Sequence, residues 1–224
     1  MSNIKVAVDA VVFGFFNEAL HVLLIQIKFG DLRDSWALPG GFVLEDENLE
    51  SAVLRELKEE SGVEINFLEQ LFTYGNLDRD PRGRVISIAY YALINPDNQI
   101  LKADTDAKDV KWFAINNIPS LAFDHNSIIK DAHNRLSNKV KYQPIGFDLL
   151  PKKFTFSSLE KLYASLLPDT LDRRNFRKRV LKLGILKELN QSVKQGAGRP
   201  AKLFEFDEER YSSLLDEGSD FKIV

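Results

Sequence analysis

The run from Gly41 to Val63, Gly-Phe-Val-Leu-Glu-Asp-Glu-Asn-Leu-Glu-Ser-Ala-Val-Leu-Arg-Glu-Leu-Lys-Glu-Glu-Ser-Gly-Val, constrains this chain more than any other part of it. At 3.6 residues per turn, positions three and four apart share a helix face, so Leu49, Ala52, Val53 and Leu57 turn towards a core while Glu56, Glu59 and Glu60 gather together. Like charges at that spacing repel by a few tenths of a kcal/mol per pair, and Arg55 offsets only part of this. An all-oxygen cluster suits a hard divalent cation, Mg²⁺ or Mn²⁺, that keeps several waters and bridges to phosphate. The competing reading is an acidic helix face turned to water. The framing by Leu38-Pro39-Gly40-Gly41 before the helix and Gly62 after it, where glycine can adopt a left-handed cap, favours the metal platform.

With 224 residues, the chain exceeds the ~150 of a typical domain, which allows one large or two small domains. A hydrophobic fraction of 44% and sixteen Phe supply a core, and the absence of cysteine excludes a disulfide framework and thiolate chemistry. The start, Met-Ser-Asn-Ile-Lys-Val-Ala-Val-Asp, lacks a signal peptide's apolar centre, and no apolar run approaches ~18 residues, so a cytoplasmic protein without membrane association is expected. The net charge of −3 conceals an asymmetry. Residues 1–151 carry 15 Lys+Arg against 22 Asp+Glu, whereas 152–224 carry 15 against 11, the pattern expected when one domain meets nucleic acid.

Residues 1–150 read as mixed strand and helix. Val6–Phe13 and Leu20–Lys28 are strand-like runs either side of a turn at 14–18, and Phe67–Tyr74, Val85–Ile94 and Val110–Ala114 follow the acidic helix. Ile128–Ser137 has helical spacing. Between two of the strands, Leu77-Asp78-Arg79-Asp80-Pro81-Arg82-Gly83-Arg84 has loop composition, and its arginines Arg79, Arg82 and Arg84 either decorate a plain loop or pair with a pyrophosphate. His125 and His133, as single histidines near a helix, are expected to be solvated or capping.

The 41–63 segment resembles the Nudix box, with Gly41, Glu47, Arg55, Glu56, Leu57, Glu59, Glu60, Gly62 and Val63 filling its defined places. The resemblance implies an α/β/α sandwich with a mixed sheet that hydrolyses a nucleoside diphosphate linked to another moiety, using Mg²⁺ or Mn²⁺. It implies that Glu56, Glu59, Glu60 and the Gly41 carbonyl hold the metal, and that Glu47 and Arg55 orient the catalytic carboxylates Glu59 and Glu60. Such enzymes often place a glutamate base on a later loop, where this chain offers Asp104, Asp106 and Asp109; Asp106 takes the catalytic position there. Together with Ala103–Ala107, the Asp-Arg-Asp-Pro loop resembles segments of Nudix ADP-ribose pyrophosphatases.

Residues 151–224 read as a second domain. Ser157 with Glu160 makes a capping box for a helix whose stripe is Leu159, Leu162, Tyr163 and Leu166. A turn at 168–170 leads to a helix from Leu171 or Asp172 that ends at Gly184, with Phe176, Val180 and Leu183 inward and Arg173, Arg174, Arg177, Lys178 and Lys182 outward. Strand-like Ile185–Leu189 and Leu203–Phe206 then flank a basic tip that includes Lys194, Arg199 and Lys202. This is the order of a winged helix-turn-helix with a basic recognition helix; the alternative is an ordinary solvated face. The whole chain resembles the Nudix-related transcriptional regulators of bacteria. That resemblance implies a homodimer bound to a double-stranded DNA operator, with ADP-ribose or a sugar or sugar-phosphate effector in the Nudix cleft. The other class is a metabolic Nudix pyrophosphatase with a non-regulatory C-terminal domain.

Overall fold

The computed structural model describes residues 4–65, 67–194, 199–217 and 221. They form two compact units, one of residues 4–16 and 20–134, the other of 17–19 and those from 135 onward. In the first, β1 (Lys5–Phe16) and β2 (Ala19–Ile27) are joined by a two-residue turn, Asn17-Glu18, with φ of 49° and 62°. Two positive φ values make the type I′ geometry that matches strand twist. The turn is shorter than the sequence predicts, because Gly14, Phe15 and Phe16 stay in β1. Gly14 is needed there for packing: a Cβ would lie 2.7 Å from Pro96 Cγ and 3.0 Å from the Trp112 ring.

Strand β1 runs parallel to β6 (Val85–Ile94), and β5 (Phe67–Tyr74) lies antiparallel on β6. On the other side β2 pairs antiparallel with β3 (Trp36–Ala37) and β7 (Ala107–Ala114), while β4 (Gly40–Phe42) pairs with β1 so that Asp9 faces Gly40. Among the described residues this is a seven-stranded mixed sheet. Strands β5 and β6 fall where the sequence places them and β7 starts three residues earlier than Val110. Strands β3 and β4 flank Pro39 within Leu38-Pro39-Gly40-Gly41, a composition that reads as loop.

Helix α1 (Leu49–Ser61) starts where the Asn48 side chain accepts the Ser51 N–H and ends at Gly62, with φ of 70°. Its Ala52, Val53 and Leu57 pack with Val8, Ala10 and Val12 of β1 and Ile88, Tyr90 and Ala92 of β6. Strand neighbours point to opposite faces, and Val11, Phe13 and Leu93 are buried as well, so both faces of the sheet are covered. Helix α2 (His125–Lys139), longer at both ends than expected, buries Ile128, Ile129, Ala132 and Leu136.

The second unit contains β8 (Phe154–Thr155), α3 (Phe156–Leu166), α4 (Arg173–Leu183), β9 (Leu186–Val193), β10 (Ala201–Phe206) and α5 (Glu208–Asp216). Strands β8, β10 and β9 form an antiparallel sheet in that order, which with α3 and α4 gives the winged helix. Helix α3 starts two residues earlier than the Ser157 capping box implies: buried Thr155 is the cap, its hydroxyl accepting the Ser158 N–H at 3.1 Å. Tyr163 and Phe156 of α3 pack on Phe176 of α4, with ring centroids 4.7 and 6.1 Å apart. Helix α4 keeps its predicted ends, Asp172 as cap and Gly184 at φ 69°. Strands β9 and β10 extend further than predicted, and the wing tip 195–198 lies outside the described residues. Among the described residues no helix is long and apolar enough to cross a membrane.

Candidate functional site

Arg55 organises the acidic face of α1. Its Nε and NH2 grip Glu47 at 3.0 and 2.7 Å, and its NH1 reaches Glu56 at 2.7 Å and Glu59 at 3.3 Å. Glu47 also accepts the Leu44 N–H, and these contacts, Arg55 first, hold its carboxyl down at about 2. Glu47 is thus held by Arg55, which also reaches Glu56. Burial raises the Glu56 pKa despite Arg55. Glu60 is buried further and accepts the Gly40 N–H at 2.8 Å. Burial, with Glu56, Asp106 and Asp9 nearby, pushes it up to about 8.

Asp9, Arg55, Glu56, Glu60 and Asp106 line a cavity of about 520 Å³. Of the residues singled out in the sequence, Gly41, Arg55, Glu56, Glu60, Arg79, Arg82 and Asp106 reach it; Glu47, Glu59 and Arg84 are not among the described lining residues. The Glu59 side chain is 45% exposed, so α1 splits its carboxylates where an ideal helical wheel gathers them. Among the described residues, no three His, Asp or Glu side chains converge into a ready-made metal cage. The chemistry of the donors nevertheless fits a hard divalent cation. Glu60 is buried and Glu56 half-buried, and their ionised forms need a counter-charge. A Cβ on Gly41 would lie 2.2 Å from Glu56 Oε1, so the Gly41 backbone is packed against that carboxylate as only glycine allows.

Without metal, the raised Glu60 pKa makes folding proton-linked. The unfolded chain loses this proton near 4.5, the ordinary glutamate value, and the folded protein near 8, so stability falls as pH rises between those values and then levels. Metal-free protein is expected to lose roughly 2–3 kcal/mol between pH 5 and pH 7 through this group alone. Urea titrations of wild type and Glu60→Gln check it: equal slopes against pH in the two proteins would show that Glu60 is already ionised.

The loop arginines differ from one another. Arg79 is buried, with NH2 2.8 Å from Asp124 Oδ1 and 3.2 Å from Asp9 Oδ2, so its charge is committed to the protein rather than offered to a diphosphate as the sequence suggested. Arg84 donates to the Gly75 and Asn76 carbonyls and staples its own loop. Arg82 pairs along one edge with Asp80 but keeps 57% of its side chain exposed. His125 corrects the expectation of a solvated or capping residue. It is buried, its Nδ1 accepts the Leu38 N–H at 2.9 Å, and its Nε2, which therefore carries the proton, lies 3.3 Å from Asp9 Oδ1. Ser87 donates to Asp9 Oδ2 at 2.5 Å. Asp9 was legible as an ionisable residue inside Val-Ala-Val-Asp-Ala-Val-Val, where burial demands partners.

In the second unit, Arg173, Arg174, Arg177, Lys178 and Lys182 of α4 are exposed, while Phe176 and Val180 are buried. The Arg177 guanidinium lies 4.3 Å from the Phe156 ring centroid, which fixes its stem. Lys194, Arg199 and Lys202 are exposed on the wing, Lys202 paired with Glu188.

Family profiles match both units: a NUDIX domain over residues 4–132 and an NrtR DNA-binding winged helix domain over 146–206. The ADPR responsive transcriptional repressor NtrR of Acinetobacter baylyi is 35% identical over 206 residues, 89% of this chain and 80% of that protein. The chain belongs to the NrtR family. Its NrtR-type architecture extends to three dimensions: Shewanella oneidensis NrtR crystallised with a 27mer DNA superposes with a TM-score of 0.80 at 35% identity, over 92% of this chain and 95% of that one. The Nudix domain of this chain also resembles the ADP-ribose pyrophosphatase of Methanocaldococcus jannaschii, 45% identical over 126 residues, 56% of this chain and 71% of that protein.

Proposed function

We propose that this protein is a cytoplasmic transcriptional regulator that binds a double-stranded DNA operator as a homodimer and changes its DNA affinity when ADP-ribose occupies the Nudix cleft. The observation that carries this reading is continuity: likeness to an ADPR responsive repressor runs through both units, the one with the acidic cavity and the one with the exposed basic helix α4. We place the working division near residue 150. In this reading Arg173, Arg174, Arg177, Lys178 and Lys182, with Lys194, Arg199 and Lys202, meet the duplex, phosphate contacts giving affinity and α4 reading bases.

Electrostatics decides how the cleft would take a diphosphate. Among the described residues its lining carries five carboxylates, Asp9, Glu56, Glu60, Asp80 and Asp106, against Arg55, Arg79 and Arg82, each already paired. An anion entering this site needs a counter-charge. Glu56, Glu60 and the Gly41 carbonyl would hold Mg²⁺ or Mn²⁺, with Glu59 and Asp106 in support. A bound cation would neutralise the phosphates and acidify an attacking water. Glu47 would keep Arg55 off the ligand and aimed at Glu56.

Allosteric coupling requires reciprocal affinity changes, typically ~1–3 kcal/mol or roughly 5- to 150-fold. Titrating upstream DNA of the protein's own locus, with and without ADP-ribose and Mg²⁺, is expected to give a shift of that size. Identical DNA affinities at saturating ADP-ribose would refute the regulator reading. Hydrolysis is the second reading, favoured by the intact Nudix box and the likeness to a pyrophosphatase. It predicts AMP and ribose 5-phosphate from ADP-ribose with Mg²⁺ or Mn²⁺. Recovery of intact ADP-ribose after long incubation at high protein concentration would leave binding without turnover.

A further inference from the structure

We propose that Phe42, Arg82 and Phe123 form the surface on which the cleft recognises the flat heteroaromatic base of its ligand; this rests on the reading of the cavity as a nucleoside diphosphate site. All three residues line the cavity. The Arg82 guanidinium lies 5.0 Å from the Phe123 ring centroid and 5.7 Å from that of Phe42. Those distances leave both rings short of tight stacking, with room for rearrangement around a planar guest.

Asp80 determines what Arg82 can offer. Its two oxygens take the Arg82 Nε and NH2 at 3.0 and 2.8 Å, and the Asp80 carboxylate is itself buried. The pair is close to neutral and its donating edge is used, whereas the exposed guanidinium keeps its planar face. A neutralised plate beside two aromatic rings attracts an uncharged π-system far more than a phosphate, which would also meet Asp80. Specificity for the base and affinity for the diphosphate are thereby assigned to different side chains, the second to the carboxylate set around Gly41, which directly precedes Phe42.

Phe123 supplies the independent observation. Its φ is 56°, a conformation a bulky L residue rarely adopts. Such strain persists where neighbours over-determine the backbone, and it clusters at ligand sites. Here the neighbours are explicit. Ala122 donates its N–H to the Trp36 carbonyl, Asp124 holds Arg79, and His125 accepts the Leu38 N–H. Residues on both sides are pinned, and the ring between them is held beneath Arg82. Partial packing of Phe123 against the core cluster is the competing explanation.

The test is calorimetry with ADP-ribose and, separately, inorganic pyrophosphate, both with Mg²⁺, on full-length wild type, Phe123→Asn and Phe42→Leu. Asparagine tolerates positive φ, so the first variant removes the ring without straining the backbone further. Base stacking lost to substitution predicts ADP-ribose affinity weakened by roughly 5- to 150-fold with pyrophosphate affinity unchanged. A thermal melt of each variant confirms folding, and Phe42→Leu serves alone if Phe123→Asn does not fold. Unchanged ADP-ribose affinity in a folded variant, or equal loss for both ligands, overturns the inference. If wild type binds another nucleotide but not ADP-ribose, the effector assignment fails and the variants are judged on that nucleotide. If it binds pyrophosphate and no nucleoside diphosphate, both fail.

Discussion

Replacing Arg79 by Ala is expected to cost about 3–5 kcal/mol of folding stability, the scale seen when one partner of a buried ion pair is removed. The size follows from what remains. Asp9 is buried on β1, and Asp124 keeps little exposure; both lose the single guanidinium that lies between them. The His125 Nε2 and the Ser87 hydroxyl still reach Asp9 but do not replace the guanidinium. Urea denaturation at constant m measures the effect. Combining Arg79→Met with Asp9→Asn should cost less than the single changes together, because the double variant strands Asp124 but no longer the more deeply buried Asp9. A loss below about 1 kcal/mol for Arg79→Ala, the range of exposed pairs, would refute the burial argument.

The second large effect lies on α4. Alanine at both Arg174 and Arg177 is expected to weaken operator binding and to flatten its dependence on salt, since each lost phosphate contact reduces the logarithmic slope by about one. Two contacts therefore predict a fall of about two. The two residues are not equivalent. Arg177 is held over Phe156, so its guanidinium would reach the duplex with less entropy to lose, whereas Arg174 is exposed with no such ring among the described residues. An unaltered slope in the double variant would show that this face of α4 is merely hydrated. A slope that falls at one operator but not on unrelated DNA would point instead to base reading.

The elements most legible in the sequence were those whose pattern repeats. Helix α1 declared itself through period 3.6 and Gly62, α4 through the Phe176 and Val180 spacing, and β5 and β6 through apolar runs bounded by breakers. Strands β3 and β4 were invisible because two or three residues carry no period, and they are held by Asp9 and Gln26 partners far away in sequence. The site divides the same way. Glu56 and Glu60 follow from spacing on one helix and Glu47 and Arg55 from the resemblance to the Nudix box, whereas the roles of Asp9, Asp124 and His125 depend on contacts spanning up to 87 residues. Arg79, Arg82 and Arg84 looked alike in the loop, and only their partners separate a buried counter-ion, an exposed guanidinium paired with Asp80 and a backbone staple.

Gly40 and Gly41 sit side by side and refuse a side chain for different reasons. At Gly40 a Cβ would strike the Val8 carbonyl at 2.2 Å, part of a central strand that cannot yield; at Gly41 it would strike the carboxylate of Glu56, at the end of a side chain that can swing away. Inherited change at these neighbours therefore has unequal fates. A methyl at 40 opposes the sheet itself, whereas a methyl at 41 spares the scaffold and dislodges one acidic group. For a lineage drifting from catalyst towards sensor, a single substitution at 41 is an open door, and the residue beside it is a closed one.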